Sequence, residues 1–270
     1  MPETDTWLVH TQGTIIDDTP PVKPTQVEQY HIYLNTLAEK RTLLISLKDH
    51  KTMKIIKPAD DSRYFPQGRK RIKAKIHKRL GRWFNCPGIL WGMTYDPKRI
   101  SKEEAWKNVG KHRRQFLHDL NTWRQRHGKT KLKCLSVIEV QKNTGYPHIH
   151  IVFPNLRYLG RFDHLQDLWA HGMCWLTAKD CLSPVTYICK YITKLEGWDD
   201  ESLAQIWLNR TRLYSMSRDY TMPDYSDKRP AEWAFVSQHT VTELNWLIAA
   251  YPALYKDWQA IPPPLVRSLN

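Results

Sequence analysis

Apolar and polar positions along the chain recur with two different periods, and the changes of period mark the predicted elements. The first 27 residues are polar and contain several prolines, so we expect an extended, poorly ordered arm. From Val27 to about Lys48 apolar residues return at a spacing that predicts a helix. The apolar run from Gly88 to Pro97 predicts a buried strand that ends at an Asp-Pro turn.

The centre of the chain combines a long predicted helix with a predicted β-hairpin. Ser101 followed by Glu104 is a capping-box pattern, and it opens a helix that continues to about Arg126. Two strands follow, one ending at Gln141 and one beginning at Pro147, joined by a turn that contains glycine. Downstream the pattern predicts a short helix over residues 162–172, a strand at 174–177, a helix from 184, a strand over 211–217 and a helix capped at 240–243.

The chain is strongly basic, and this charge narrows the class of partner. Lys and Arg number 41 against 27 Asp and Glu, giving a formal net charge of +14. In a chain with twelve Trp and thirteen Tyr, such an excess favours nucleic acid over a merely soluble basic protein. A dense run of Lys and Arg lies between Arg63 and Arg82, flanked by aromatic residues. This run is either a solvated helix face or a DNA-backbone contact surface.

Several classes of protein are disfavoured by composition. The five cysteines are odd in number and lack a C-x-x-C pair, so they fit neither a zinc ribbon nor a secreted disulfide framework. The first residues have no signal-peptide pattern, and no apolar run approaches bilayer-spanning length. We therefore expect a soluble, intracellular protein without a membrane partner.

A His-Ile-His triplet in the second hairpin strand predicts a metal site. His148 and His150 are two residues apart, so both imidazoles face one side of the strand while the apolar residues between and after them face the other. If the turn is the four residues 142–145, Glu139 lies directly across from His148. Two imidazoles and a carboxylate with open positions suit a catalytic divalent ion such as Mn²⁺ or Mg²⁺. The alternative is a chance pair of half-buried histidines.

A doubled Y-x-x-K pattern follows in the helix that begins at Pro184. At about 100° per residue, Tyr187, Tyr191, Lys190 and Lys194 fall within an arc of about 100°, opposite an apolar face. A phenol with a pKa near 10 needs help to act as a nucleophile, and a divalent ion on a phosphate together with lysines provides it. The alternative is a solvated Tyr/Lys face, which amphipathic helices commonly show.

Taken in order, these motifs resemble those of the HUH endonuclease superfamily, specifically the rolling-circle replication initiators (Rep proteins) of plasmids and single-stranded DNA phages. The three segments that carry the resemblance are ILWGMTYDP, PHIHIVF and YICKYITK, and LNRTRLYSMSR is similar to a closing strand of such chains. The two-tyrosine form resembles the branch that includes the initiator of small icosahedral phages. The resemblance covers roughly Pro87 to Arg218.

The resemblance implies an α+β fold with a central antiparallel sheet of about five strands and flanking helices. It implies metal ligands at His148, His150 and Glu139, nucleophiles at Tyr187 and Tyr191, and assisting cations at Lys190 and Lys194. The chain then divides into an arm (1–27), a basic helical extension (28–86), an HUH nuclease domain (87–220) and a C-terminal helix with a Pro-rich tail (221–270).

The activity implied is nicking and rejoining of a DNA strand through a 5′-phosphotyrosine, in the cytoplasm of a bacterial or archaeal host. Expected partners are single-stranded DNA, an origin hairpin and a DNA polymerase. The fragment from His127 to Thr130 has Trp123 where a P-loop needs its first glycine, so ATP binding is rejected and a separate helicase is implied. Two alternatives remain: a two-tyrosine HUH transposase, and a non-catalytic origin-binding protein.

Overall fold

A five-stranded antiparallel sheet lies at the centre of the chain, with strand order β6-β3-β5-β4-β7. This computed structural model describes residues 23–49, 52–80, 86–177, 184–192, 195, 197–217 and 232–251. The strands of the central sheet are β3 (Gly88–Met93), β4 (Leu135–Val140), β5 (Pro147–Pro154), β6 (Cys174–Thr177) and β7 (Tyr214–Met216). The predicted α+β class, with a sheet of about five strands and flanking helices, is therefore confirmed.

The two faces of this sheet are covered by different helices. Ile149 and Ile151 face a large core that includes residues of α3 (Lys102–Arg126) and α4 (Phe162–Leu168). The opposite face carries a smaller core, in which Val137 and Val152 of the sheet contact two further helices, α2 (Pro66–Leu80) and α5 (Pro184–Ile192). Because side chains alternate along β5, His148 and His150 point to the face of α2 and α5.

The β4–β5 hairpin has the predicted register. The backbone N–H of Gln141 donates to the carbonyl of Tyr146 at 2.8 Å, which closes the four-residue turn. Gly145 in that turn has φ +72°, a conformation that glycine adopts without steric cost. Glu139 consequently pairs with His148, as the sequence predicts.

The prediction of a helix from Val27 to Lys48 is wrong for the second half of that segment. Helix α1 (Gln26–Glu39) begins at a Thr25 capping box and ends at Glu39, after which Lys40–Ser46 forms strand β1. This strand lies between β2 (Met53–Ile56) and β8 (Trp233–Thr240) in a three-stranded antiparallel sheet. The apolar run in β1 buries residues on both faces, and its partner β8 is about two hundred residues away in sequence, so local periodicity misreads it as a helix.

Segment 28–86 is thus not purely helical, although the four-part division of the chain stays a prediction. Helix α6 (Asp200–Leu208) begins after an Asp199 cap, and the sequence pattern did not predict it. Helix α7 (Val241–Ala250) begins at the predicted Thr240 capping box and ends two residues before Pro252. The first 22 residues of the predicted arm and the predicted tail from 252 lie outside the described residues.

Among the helices that the structure describes, none combines the length and the hydropathy that crossing a bilayer requires. Three of the four described cysteines, Cys134, Cys174 and Cys189, are free thiols, and the fourth is Cys86. The fifth, Cys181, lies outside the described residues.

Candidate metal and nucleophile site

The predicted metal ligands meet at one point on the sheet. Oε1 of Glu139 lies 2.8 Å from Nε2 of His150 and 3.4 Å from Nδ1 of His148. One ligand atom from each of the three residues falls within 4.8 Å of the others. The strand pairing produces this arrangement, because Glu139 and His148 are directly opposite and His150 is on the same face two residues further along β5.

His150 is buried and His148 is half-buried, and burial controls the protonation of His148. His150 is only 5% exposed. Burial, together with the neighbouring charge of His150, lowers the pKa of His148 to about 3. His148 is therefore neutral at physiological pH, which is the form that binds a metal ion.

The donor set fits a divalent ion. Nε2 of His148 and Nδ1 of His150 are buried and make no hydrogen bond to the described residues, so ring nitrogens are available beyond those that face Glu139. A ligand set of two imidazoles and one carboxylate leaves positions open for substrate. A divalent ion bound by these three residues would supply Lewis-acid stabilisation of charge that develops on a phosphate.

The indole of Trp175 covers one side of the group formed by Glu139, His148 and His150. The sequence did not predict this contact. The ring centroid of Trp175 in β6 lies 4.6 Å from that of His148, with the planes at 63°. Trp175 pairs with Gly92 of β3, and its indole lies across the position that a Cβ at Gly92 would occupy. The glycine is therefore what lets the indole reach the histidines. A short strand at 174–177 was predicted, but its pairing with β3 was not.

The substitution Gly92→Ala is expected to destabilise the fold by about 1–3 kcal/mol, because the new methyl group overlaps the Trp175 indole and a packed site resists an added methyl. Urea unfolding of the metal-free protein measures the change. Gly110→Ala is the matched control, since Gly110 lies in helix α3 and its added methyl meets only ordinary van der Waals distances. Alanine in a helix interior is about 0.5–1 kcal/mol better than glycine, so equal losses of stability in both variants would contradict this account.

The tyrosine pair lies on helix α5, beside Glu139, His148 and His150. Ile188 and Cys189 are buried against the sheet, which turns the two phenols towards the histidine side. Tyr191 stacks on His150, with ring centroids 5.1 Å apart and planes at 19°. Its hydroxyl donates to the hydroxyl of Tyr187 at 2.7 Å. The predicted grouping of both phenols on one helix face, opposite an apolar face, is confirmed.

The two phenols differ in environment. Tyr187 is 36% exposed, whereas Tyr191 is half-buried between Tyr187 and His150. Burial, the hydrogen bond that it donates to Tyr187 and the nearby Glu139 carboxylate all raise the pKa of Tyr191. Tyr191 is thus held protonated as a hydrogen-bond donor until another charge enters the site.

The structure does not describe the side chain of Lys190 or any part of Lys194. Their assistance to the phenols stays a prediction.

An open cavity of about 670 Å³ adjoins the cluster and gives access to it. Its lining includes Glu139, Tyr191, Trp198 and the hairpin turn. The rim carries an ion pair of 2.7 Å between Lys102 and Glu201. A cavity of this size holds a nucleotide-sized group next to Tyr191.

The basic run of the sequence forms helix α2, on the same side of the sheet as α5. Ile76 of α2 is buried in the small core with Ile188 and Cys189 of α5. The helix contains no acidic residue, and its exposed positions are mostly cationic. Among the positions of α2 whose exposure the structure describes, the exposed charged residues are Lys70, Arg71, Lys73, Lys75 and Lys78. Such a surface beside the phenols suits a phosphate backbone.

A comparison with known protein families finds a match in this region. Residues 89–196 match the model of the family described as Replication-associated protein ORF2/G2P. That segment contains β3 from its second residue on, the β4–β5 hairpin and helix α5. It therefore includes Glu139, His148 and His150 as well as Tyr187 and Tyr191. No curated protein and no solved structure matches the chain. The central part of the chain is therefore similar to a replication initiator family, and this similarity supports a role in the initiation of DNA replication.

Proposed function

We propose that this protein is a metal-dependent, single-strand DNA endonuclease and ligase that initiates and terminates rolling-circle replication. One observation carries the proposal: two hydrogen-bonded phenols lie against a Glu-His-His cluster, with Tyr191 stacked on His150. A phenol attacking phosphorus forms a phosphotyrosine ester whose bond energy is conserved, so a cut strand can be resealed without ATP. The likeness to a replication-associated family favours this role over that of a transposase.

In the first step one tyrosine oxygen attacks the scissile phosphorus of a single strand. The O–P bond to tyrosine forms as the P–O3′ bond breaks, the phenol loses its proton, and the departing 3′ oxygen takes one up. The products are a free 3′-OH, which a polymerase can extend, and a 5′ phosphate esterified to the protein. The cations of α2 would hold the phosphate backbone on the same side of the sheet.

The positions of the two phenols support Tyr187 as the first nucleophile. Tyr191 is half-buried against His150 and donates to the oxygen of Tyr187. Tyr187 is the more exposed of the two, and so the more accessible to a strand.

After one round of synthesis the other tyrosine would cut the regenerated junction. The 3′-OH released by that cut attacks the first phosphotyrosine, which reforms a phosphodiester bond and frees the first phenol. Two nucleophiles on adjacent turns of α5 allow the two half-reactions to alternate without release of the DNA.

A covalent adduct is the expected product of incubating the protein with a labelled single-stranded origin oligonucleotide and Mn²⁺. The labelled strand should migrate with the protein in a denaturing gel, and mass spectrometry should locate the attached nucleotide on Tyr187 or Tyr191. A chelator should prevent adduct formation. A non-catalytic origin-binding protein would bind the oligonucleotide in a native gel and form no adduct in either condition, and that result would overturn the proposal.

A further inference from the structure

A cationic pocket lies away from Glu139, His148 and His150. It has a volume of about 370 Å³ and is formed by helix α3 and the segment that joins α6 to β7. Six of the side chains that line it are cationic: Lys107, Lys111, Arg113, Arg114, Arg210 and Arg212. None of its described lining residues is Asp or Glu. A concave surface with this charge attracts an anion.

Arg113 is the strongest indication that an anion belongs there. It is only 4% exposed, and its Nε and Nη1 atoms are buried without a hydrogen bond to any described residue. Burial lowers its pKa to about 10, so the guanidinium stays charged at neutral pH. A buried charge without a partner is strongly destabilising, and a bound anion would remove that penalty.

The backbone at Arg210 gives independent support. Its φ is +48°, at the end of α6, in a conformation that glycine adopts more readily than arginine. The N–H groups of Arg210 and Thr211 donate to the carbonyls of Trp207 and Ile206 at the end of α6. These hydrogen bonds hold Arg210 in its strained conformation. Arg210 occupies a position that favours glycine, and it adds a positive charge to the lining of the pocket.

The number of cations identifies the class of ligand. A carboxylate carries one charge and would leave most of the six cations uncompensated. A free phosphate carries more charge, whereas a DNA strand brings several singly charged phosphates in a row. The oxygens of either can accept from guanidinium and ammonium donors together. We propose that this pocket binds a phosphate group, either one from a DNA backbone or a free phosphate.

The pocket is distinct from the proposed catalytic site. Trp106 and Val109 of α3 belong to the large core, on the face of the sheet opposite to His148 and His150. Its phosphate would therefore be an additional one and not the scissile one.

Inorganic phosphate is the first probe, used with a chelator present so that metal-bound phosphate does not contribute. Orthophosphate is expected to raise the midpoint of thermal unfolding of the wild-type protein, because a ligand that binds only the folded state stabilises it. In the variant Arg114→Gln/Arg212→Gln the affinity for orthophosphate should fall about tenfold or more. Both positions are exposed, so this pair removes charge from the pocket without disturbing the buried Arg113.

The variant Arg126→Gln/Lys131→Gln is the matched control, since it removes two exposed charges outside the pocket. It should keep the wild-type response to orthophosphate. Absence of a phosphate effect on the wild-type protein, or an equal reduction of the response in both variants, would overturn the proposal. The Tyr187→Phe/Tyr191→Phe variant should also keep the response, so the phosphate pocket and the proposed nicking activity stand or fall separately.

A fluorescent single-stranded oligonucleotide then separates the two sources of phosphate. If the ligand is a DNA phosphate, the pocket variant should bind the oligonucleotide more weakly than the control variant. Its slope of log K against log salt should be shallower by about 0.7 for each DNA phosphate that the variant no longer neutralises. Equal oligonucleotide affinities and slopes in the two variants, with orthophosphate binding abolished only in the pocket variant, would assign the site to free phosphate.

Discussion

Replacing both phenols, in the variant Tyr187→Phe/Tyr191→Phe, is expected to reduce cleavage of a single-stranded origin oligonucleotide by at least about a thousandfold, because no nucleophile remains. The metal cluster and the aromatic packing against His150 are kept in this variant, since phenylalanine retains the ring. Single-turnover cleavage assays with Mn²⁺ measure the effect. DNA binding should change little, which separates loss of chemistry from loss of affinity.

The single variants test the order of attack. Tyr187→Phe should slow the first cut far more than Tyr191→Phe, if Tyr187 is the first nucleophile. Tyr191→Phe should still form an adduct but fail to complete strand transfer. Tyr158→Phe is the matched control, because Tyr158 is 58% exposed and belongs to neither the cluster nor its cavity. Full cleavage by the double variant would exclude the proposed mechanism.

The substitution Glu139→Gln is expected to weaken Mn²⁺ binding by about a hundredfold or more, with a matching loss of cleavage at limiting metal. Substitution of residues that merely support metal ligands already costs about 10–100-fold, and here the carboxylate that contacts both histidines loses its charge. Calorimetric titration with Mn²⁺ measures the affinity directly. Raising the Mn²⁺ concentration should restore part of the cleavage.

Glu201→Gln serves as the control for that experiment. Glu201 lines the same cavity and is paired with Lys102, but it lies outside the group that could hold an ion. Its removal should leave Mn²⁺ affinity close to that of the wild type. Equal reductions of affinity in the two variants would mean that general negative charge in the cavity, and not a specific ligand at Glu139, governs metal binding.

Much of the candidate site could be predicted because it is built from local patterns. The hairpin register follows from a four-residue turn and the two-residue repeat of a strand, and these place Glu139 opposite His148. The grouping of Tyr187 and Tyr191 follows from the helical repeat and the apolar face of Ile188 and Cys189. Each of these relations involves residues close together in the chain, for which backbone geometry alone determines direction.

Other features depend on residues far apart in sequence, and local patterns cannot reveal them. Strand β1 has an apolar spacing that favours a helix, and only its pairing with β8, from the other end of the chain, makes it a strand. The contact of Trp175 with the histidines requires its indole to lie across Gly92. That position depends on the pairing of β6 with β3.

The sequence by itself determined the residue types, the spacing and the local face of each functional side chain. The tertiary structure alone decided how those faces meet: α5 against the histidines, α2 beside α5, and buried Arg113 in a pocket of cations. The physical reason is that periodicity specifies which side of an element is apolar, whereas the partner of that side is chosen by packing across the whole chain.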